Sequence, residues 1–157
     1  MDLFEINESN KPVLYDLLTE YYRSAEDADT PISEIDDFIA FLFGMIIDGS
    51  IEGRIAQQDG VTAGFVLWGI DREGWTFSEM LGLGTILEIG VVPAWRNKGN
   101  GRELAGYAED AARRMGIKQM YISAYGPAQQ FWLKCGYEDV GRMAKNGLPI
   151  MIKQLTD

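Results

Sequence analysis

Between Thr85 and Ala124 the chain runs from an apolar β segment, through a basic loop containing glycines, into an amphipathic helix and a second β segment. The first segment, Thr85–Val92, is closed by Pro93. The helix expected over Arg102–Met115 places Leu104, Ala108, Ala111 and Met115 on one inward face, and Gly116 ends it. Gln119–Ala124 is the second strand. A strand–helix–strand crossover is right-handed and sets its two strands side by side in parallel. That unit excludes an all-helical fold and a purely antiparallel one.

The flanks supply the rest. Leu3–Ile6 alternates with acids and reads as a short edge strand. Asn10-Lys11-Pro12 starts a helix whose apolar face holds Val13, Leu14, Leu17, Leu18, Tyr21 and Tyr22. Thr30-Pro31 starts another, with Ser33 and Asp36 as an alternative cap pair. Its stripe is Ile35, Phe38, Ile39, Leu42, Phe43 and Ile46, and Gly49 suits the stop. From residue 50 the period changes. Ser50–Gln57 and Val61–Ile70 flank Gln58-Asp59-Gly60, a strong hairpin signal. Asp71–Gly84 has no clean period and reads as a loop or ragged strand end. Pro127–Lys134 is a short helix, and Tyr137–Met143 with Leu148–Leu155 make a last hairpin around Lys145-Asn146-Gly147. The order is β-α-α-β-β-β-α-β-α-β-β. It predicts an α/β fold with a mixed, mostly antiparallel sheet of about seven strands, a parallel pair at its centre and four flanking helices. No repeat, low-complexity tract or linker divides residues 1–157, so a single domain is expected.

The residue types exclude several chemistries. There is no histidine, so neither a His-based zinc site nor a Ser-His-Asp triad can form. Cys135 is the only cysteine, which rules out an internal disulfide and fits a reducing, cytoplasmic setting. The opening Met1–Glu5 lacks a basic flank and an apolar signal core. The longest apolar run, Val61–Ile70, is too short to span a bilayer, so no membrane role is expected. Of the net charge of −10, all falls in residues 1–50, which hold 12 acids against Lys11 and Arg23. Nucleic acid is therefore not an expected partner, since phosphate backbones need clustered Lys and Arg. The acidic third is either a solvated face or the lining of a site for a cation.

One segment carries ligand chemistry. In Val91-Val92-Pro93-Ala94-Trp95-Arg96-Asn97-Lys98-Gly99-Asn100-Gly101-Arg102 a strand ends, a loop turns and a helix begins. Gly99 and Gly101 let the backbone turn with unshielded N–H groups. The helix N-terminus adds about half a positive charge, and Arg96, Lys98 and Arg102 add full ones. The arrangement suits a pyrophosphate. It is not a P-loop, because no Lys-Ser or Lys-Thr follows the second glycine, and the third glycine of the dinucleotide fingerprint is missing.

This segment resembles the GNAT superfamily of CoA-dependent N-acetyltransferases. The likeness includes the strand Glu88-Ile89-Gly90-Val91-Val92-Pro93, the Arg96-x-x-Gly99-x-Gly101 loop and the helix ending at Gly116. It continues through Met120–Ala124 to Ala128, Phe131-Trp132 and Lys134-Cys135-Gly136-Tyr137. The resemblance implies acetyl-CoA as co-substrate and no metal. Backbone groups of Ile89, Gly90 and Val91 would bind the pantetheine arm like an added strand. Amides of Asn97, Lys98, Gly99, Asn100, Gly101 and Arg102 would hold the pyrophosphate. An N–H near Val91 would face the oxyanion, in a gap where the strands of Val91 and Ala124 splay apart. A neutral primary amine would attack the thioester directly.

Two positions depart from that pattern. Tyr125 stands where the family often has Asn, and Trp132 where it often has a Tyr that protonates the leaving thiolate. An indole N–H donates a hydrogen bond but is no useful proton source. Trp132 is thus assigned to the cofactor side, Tyr125 is a candidate acid or a packing residue, and Glu88 is a candidate base or an ordinary strand carboxylate. Cys135 reads as a buried filler, and Trp68, Trp75 and Trp95 as core or loop packing. The family's early helices border the acceptor, so the acids of residues 13–48 point to a cationic small molecule or a lysine-containing peptide. The rival expectation is a degenerate member that binds acyl-CoA as a sensor or interaction module. A homodimer remains open.

Overall fold

The structure is a computed structural model describing residues 1–24 and 31–155. Its order is β1 (Asp2–Glu5), α1 (Lys11–Ser24), α2 (Ile32–Ile47), β2 (Ile51–Gln58), β3 (Val61–Ile70) and β4 (Gly84–Val91). There follow α3 (Asn100–Arg114), β5 (Gln119–Ser123), α4 (Gln129–Lys134), β6 (Glu138–Met143) and β7 (Pro149–Gln154). The strands form one seven-stranded sheet in the order β1-β2-β3-β4-β5-β7-β6. β4 and β5 pair in parallel through Gly84↔Met120 and Thr85↔Tyr121, whereas β1–β2, β5–β7 and β6–β7 are antiparallel. The expected mixed sheet, its parallel pair and its four helices are all present.

Local chemistry accounts for the boundaries. Asn10 accepts the first bonds of α1, from the N–H groups of Val13 and Leu14, and its side chain donates to the Glu5 carbonyl at 2.7 Å. At the other end of α2, Gly49 takes a φ of 81°, and the Ser50 N–H closes on the Met45 carbonyl. Asp59 and Gly60, at φ 53° and 78°, make the tight turn between β2 and β3.

Several expectations need correction. Thr30 as a helix start lies outside the described residues, and neither Ser33 nor Asp36 caps α2, whose N-cap is Pro31 without a side-chain bond. Val13 is exposed on α1, and Phe38, placed in the buried stripe of α2, is 42% exposed. Met45 is buried on α2 instead. α3 begins at Asn100, two residues earlier than predicted, and ends at Arg114, so Met115, expected to face inward, falls past its end and is 62% exposed. An apolar repeat marks the middle of a buried stripe well; its margins are decided by what packs beside them.

Two compact units divide the chain, Met1–Leu67 with Glu88–Gly101 and Trp68–Leu87 with Arg102–Asp157. In the first, Leu14 and Leu18 of α1, Ile35, Ile39 and Leu42 of α2, and Ile55 and Phe65 of the strands are buried. Gly53 lies close against this core: a Cβ would come within 2.5 Å of the Ile6 Cδ1 and 2.8 Å of the Leu67 Cδ2, and those methyl groups would have to shift. In the second, α3 buries Leu104, Ala105, Ala108 and Ala112, β5 buries Met120, Tyr121 and Ile122, and β7 buries Ile150 and Met151.

Asp71 organises the second unit. Its carboxylate, 1% exposed, accepts from the Glu79 and Met80 N–H groups and from the Tyr121 hydroxyl at 2.6 Å. The stretch read as a loose loop is thereby strapped down. The hairpin β6–β7 reinforces it: Lys145 donates through Nζ to the Ser78 carbonyl and through its N–H to Glu79. Burial raises the Asp71 pKa, but hydrogen bonds from Ser78, Tyr121, Met80 and Glu79 outweigh it and hold the carboxyl below its usual 3.8. A depressed carboxyl stabilises the fold above its unfolded pKa, and the contribution fades as pH falls through the folded one. Asp71→Asn should therefore lower the urea midpoint by a constant amount above about pH 5. That gap should narrow progressively as pH falls below about 5, through 3.8 and on toward the folded pKa, as urea titrations across pH would record.

Candidate active site

The C-terminal half of β4 and the turn after it build the site within the first unit. Val92 leaves β4 with its N–H on the Ala63 carbonyl at 2.8 Å. Pro93–Trp95 form one 3-10 turn, and Arg96 returns to extended backbone. Asn97 then takes a φ of 60° and Gly99 one of 85°, a left-handed conformation that favours glycine. α3 starts at Asn100.

Side chains hold that loop open. The Arg96 Nε donates to the Val91 carbonyl at 2.8 Å, while the buried Asn100 donates through Nδ2 to the Trp95 carbonyl at 2.9 Å. Lys98 lies with Nζ 5.0 Å from the centre of the Trp95 ring. Between those anchors Asn97, Lys98 and Gly99 are exposed, and among the described residues no carbonyl accepts from their N–H groups. The first-turn N–H groups of α3 have no helical partner by geometry. A Cβ on Gly99 would meet nothing within 4 Å, so the space over the loop is free. Exposed amides, a helix N-terminus and two adjacent cations fit a diphosphate group.

A cleft opens beside β4. It is lined by Leu17, Glu20, Tyr21 and Ser24 of α1, by Phe65, and by Gly90, Val91, Val92, Pro93 and Arg96. Gly90 is fixed by its floor: a Cβ there would lie 2.6 Å from the Phe65 ring, which meets Tyr21 edge to face at 5.9 Å. The β4 backbone is thus presented to the cleft without a side chain above Phe65. Two residues before Gly90, Glu88 accepts the Tyr22 hydroxyl at 2.7 Å.

The predicted residues Glu88, Ile89, Gly90, Val91, Arg96, Asn97, Lys98, Gly99, Asn100 and Gly101 form one continuous stretch of this unit. Arg102, Tyr125 and Trp132 belong to the second unit. There Tyr125 caps a 3-10 turn, its carbonyl accepting from the Ala128 N–H. Trp132 is buried, with Phe131 and Tyr137 edge-on at 4.9 and 5.1 Å. Cys135 is buried, and burial pushes its thiol up. Trp68 is buried, and Trp75 stacks on Phe77. Sequence reasoning missed the Asn100 strap, the Tyr22–Glu88 bond and the Phe65 floor. The first and last connect residues whose spacing carries no periodic signal. The second joins residues 66 positions apart.

Among the described residues no cluster of His, Cys, Asp and Glu could hold a metal, and no helix is long and apolar enough to cross a membrane.

Comparison with known proteins agrees with this fold. The profile of the acetyltransferase (GNAT) family matches residues 11–137. No curated protein matches the chain. Among solved structures, an acetyltransferase of the GNAT family from Staphylococcus aureus is 13% identical, with 99% of each chain covered and a TM-score of 0.78. The PaiA N-acetyltransferase of Thermoplasma acidophilum, solved with coenzyme A, is 14% identical over 98% of each chain, with a TM-score of 0.73. An aminoglycoside 6'-N-acetyltransferase, also solved with coenzyme A, is 17% identical over 100% of this chain and 98% of its own, with a TM-score of 0.70. At such identities the structural likeness speaks for the fold alone, while the family profile spans most of the sequence. On that match, the chain belongs to the GNAT family of acetyltransferases.

Proposed function

We propose that the chain, as one acyltransferase domain, moves an acetyl group from acetyl-CoA to a primary amine by direct attack. The observation that carries this reading is the exposed Asn97–Gly99 backbone, anchored by Asn100 and continuous with the start of α3. Amides from Asn97 to Arg102, with the cations of Arg96, Lys98 and Arg102, hold the pyrophosphate. Gly90 and its neighbours Ile89 and Val91 offer bare β4 backbone to the pantetheine arm. Coenzyme A in the Thermoplasma and aminoglycoside enzymes supports the choice of cofactor.

Glu88 is the base of this reading. Held by the Tyr22 hydroxyl, its carboxylate takes the ammonium proton directly or through one water. The free lone pair forms the C–N bond, the C–S bond breaks, and the thiolate leaves and is protonated. An N–H near Val91 steadies the oxyanion between those events, and the second proton shed by the acylated nitrogen balances the one the thiolate takes up. The acidic first third suits a cationic acceptor, a small amine or a lysine-containing peptide, by raising its local concentration.

Glu88→Gln should lower kcat about 100-fold. Its Kd for coenzyme A, read by calorimetry, should stay within about twofold because the phosphate loop is untouched. Release of free thiol from acetyl-CoA mixed with a panel of primary amines tests the reaction itself. A buried Trp132 at the place where the family often has a tyrosine favours the second reading, an acyl-CoA sensor. Tight binding with no thiol released by any amine would establish that reading instead.

A further inference from the structure

The Tyr22 hydroxyl bound to Glu88 begins a run of aromatic rings. Tyr22 meets Phe38 of α2 edge to face at 5.6 Å, and Phe38 stacks with Phe41 one turn on at 6.3 Å. Tyr21 joins Tyr22 at 5.3 Å. Phe38 and Phe41 are 42% and 47% exposed, yet an amphipathic helix normally turns such rings inward. All five residues belong to the first unit, so the rings and the carboxylate share one body.

We propose that Phe38 and Phe41 are specificity-determining residues that, with Tyr22, select a primary amine carrying an aromatic or branched apolar group. The inference rests on the acyl-transfer reading given above, because Glu88 is where the ammonium is placed. Charge and shape both argue for this occupant. A protonated amine is drawn by Glu88 and by the acid-rich first 50 residues, and tyrosine and phenylalanine faces attract it further. Beyond the ammonium, two half-exposed phenyl rings reward an apolar group more than a hydroxyl or a second charge, whose lost hydration outweighs the weak cation–π attraction of an exposed ring. Burying a phenyl group against such a wall should favour it over an amine without one by roughly tenfold.

The test compares 2-phenylethylamine with ethylamine and spermidine, by thiol release and by saturation-transfer NMR on the amine protons. The wild type should turn over phenylethylamine at least about tenfold better in kcat/KM than either of the others. Phe38→Ala should abolish that preference, and Phe38→Trp should restore it. Both positions are partly exposed, so the variants should melt near the wild type. Equal turnover of the three amines, or a preference that survives both Phe38→Ala and Phe41→Ala, overturns the aromatic wall while leaving the transferase reading intact. Phenylethylamine binding that needs Phe38, without thiol release, keeps the wall and sinks the transferase reading. Neither binding nor turnover overturns both.

Discussion

Glu109→Ala is expected to lower the unfolding free energy by about 3 kcal/mol. Glu109 lies on α3 with only 3% of its surface exposed, receiving the Lys153 Nζ on one oxygen at 2.8 Å and the Tyr137 hydroxyl on the other at 3.0 Å. Truncation strands both partners. The Tyr137 hydroxyl, almost fully buried, would lose its acceptor, and the partly screened Lys153 ammonium would lose its counter-charge. The same carboxylate, after burial itself, pushes the Tyr137 phenol up, as expected of a hydrogen bond that favours the neutral ring. Urea denaturation would read the loss. The triple change Glu109→Leu, Tyr137→Phe and Lys153→Met should recover most of it, since apolar groups of similar size leave nothing unpaired. A loss under about 1 kcal/mol for the single variant would mean that water already serves these groups.

Gly99→Val should weaken coenzyme A binding about 1000-fold while leaving the protein folded. The new side chain enters the open space over the loop, the proposed seat of the phosphates, and strains a backbone at φ 85°. Losing two charge-assisted hydrogen bonds at about 1.5–3 kcal/mol each accounts for that factor. Gly60→Val is the control, because it imposes the same backbone strain, φ 78° with nothing within 4 Å, on the β2–β3 turn. It should lose stability without losing affinity. Calorimetry with coenzyme A separates the two, and equal affinity in both variants would remove the loop from the site.

Much of this fold was legible in one dimension because it is locally encoded. Asp59-Gly60 sets its hairpin by accepting positive φ, and the strand–loop–helix–strand run from β4 to β5 leaves one connection open to it. The loop from Arg96 to Gly101 was readable for the same reason: glycine, charge and a helix start stand next to each other in the chain. Burial margins were less readable. Phe38 obeys the helical period and still faces outward, since hydrophobic repetition reports a stripe's centre and says little about its edges, and Met115 lies past the end of α3.

By itself, then, the amino-acid sequence determined the strand order's parallel centre, the turn types, the basic glycine loop at the start of α3 and the family, because each rests on residues within a few positions of one another. Only the tertiary structure decided that Asp71 straps a glycine-rich stretch, that Asn100 braces the loop, that Tyr22 holds Glu88 and that Phe65 makes residue 90 a glycine. Bonds such as Tyr22–Glu88 and Asp71–Tyr121 join side chains more than 45 residues apart in sequence. No local periodicity encodes such a pairing, because it exists only once the sheet and helices have brought the partners together.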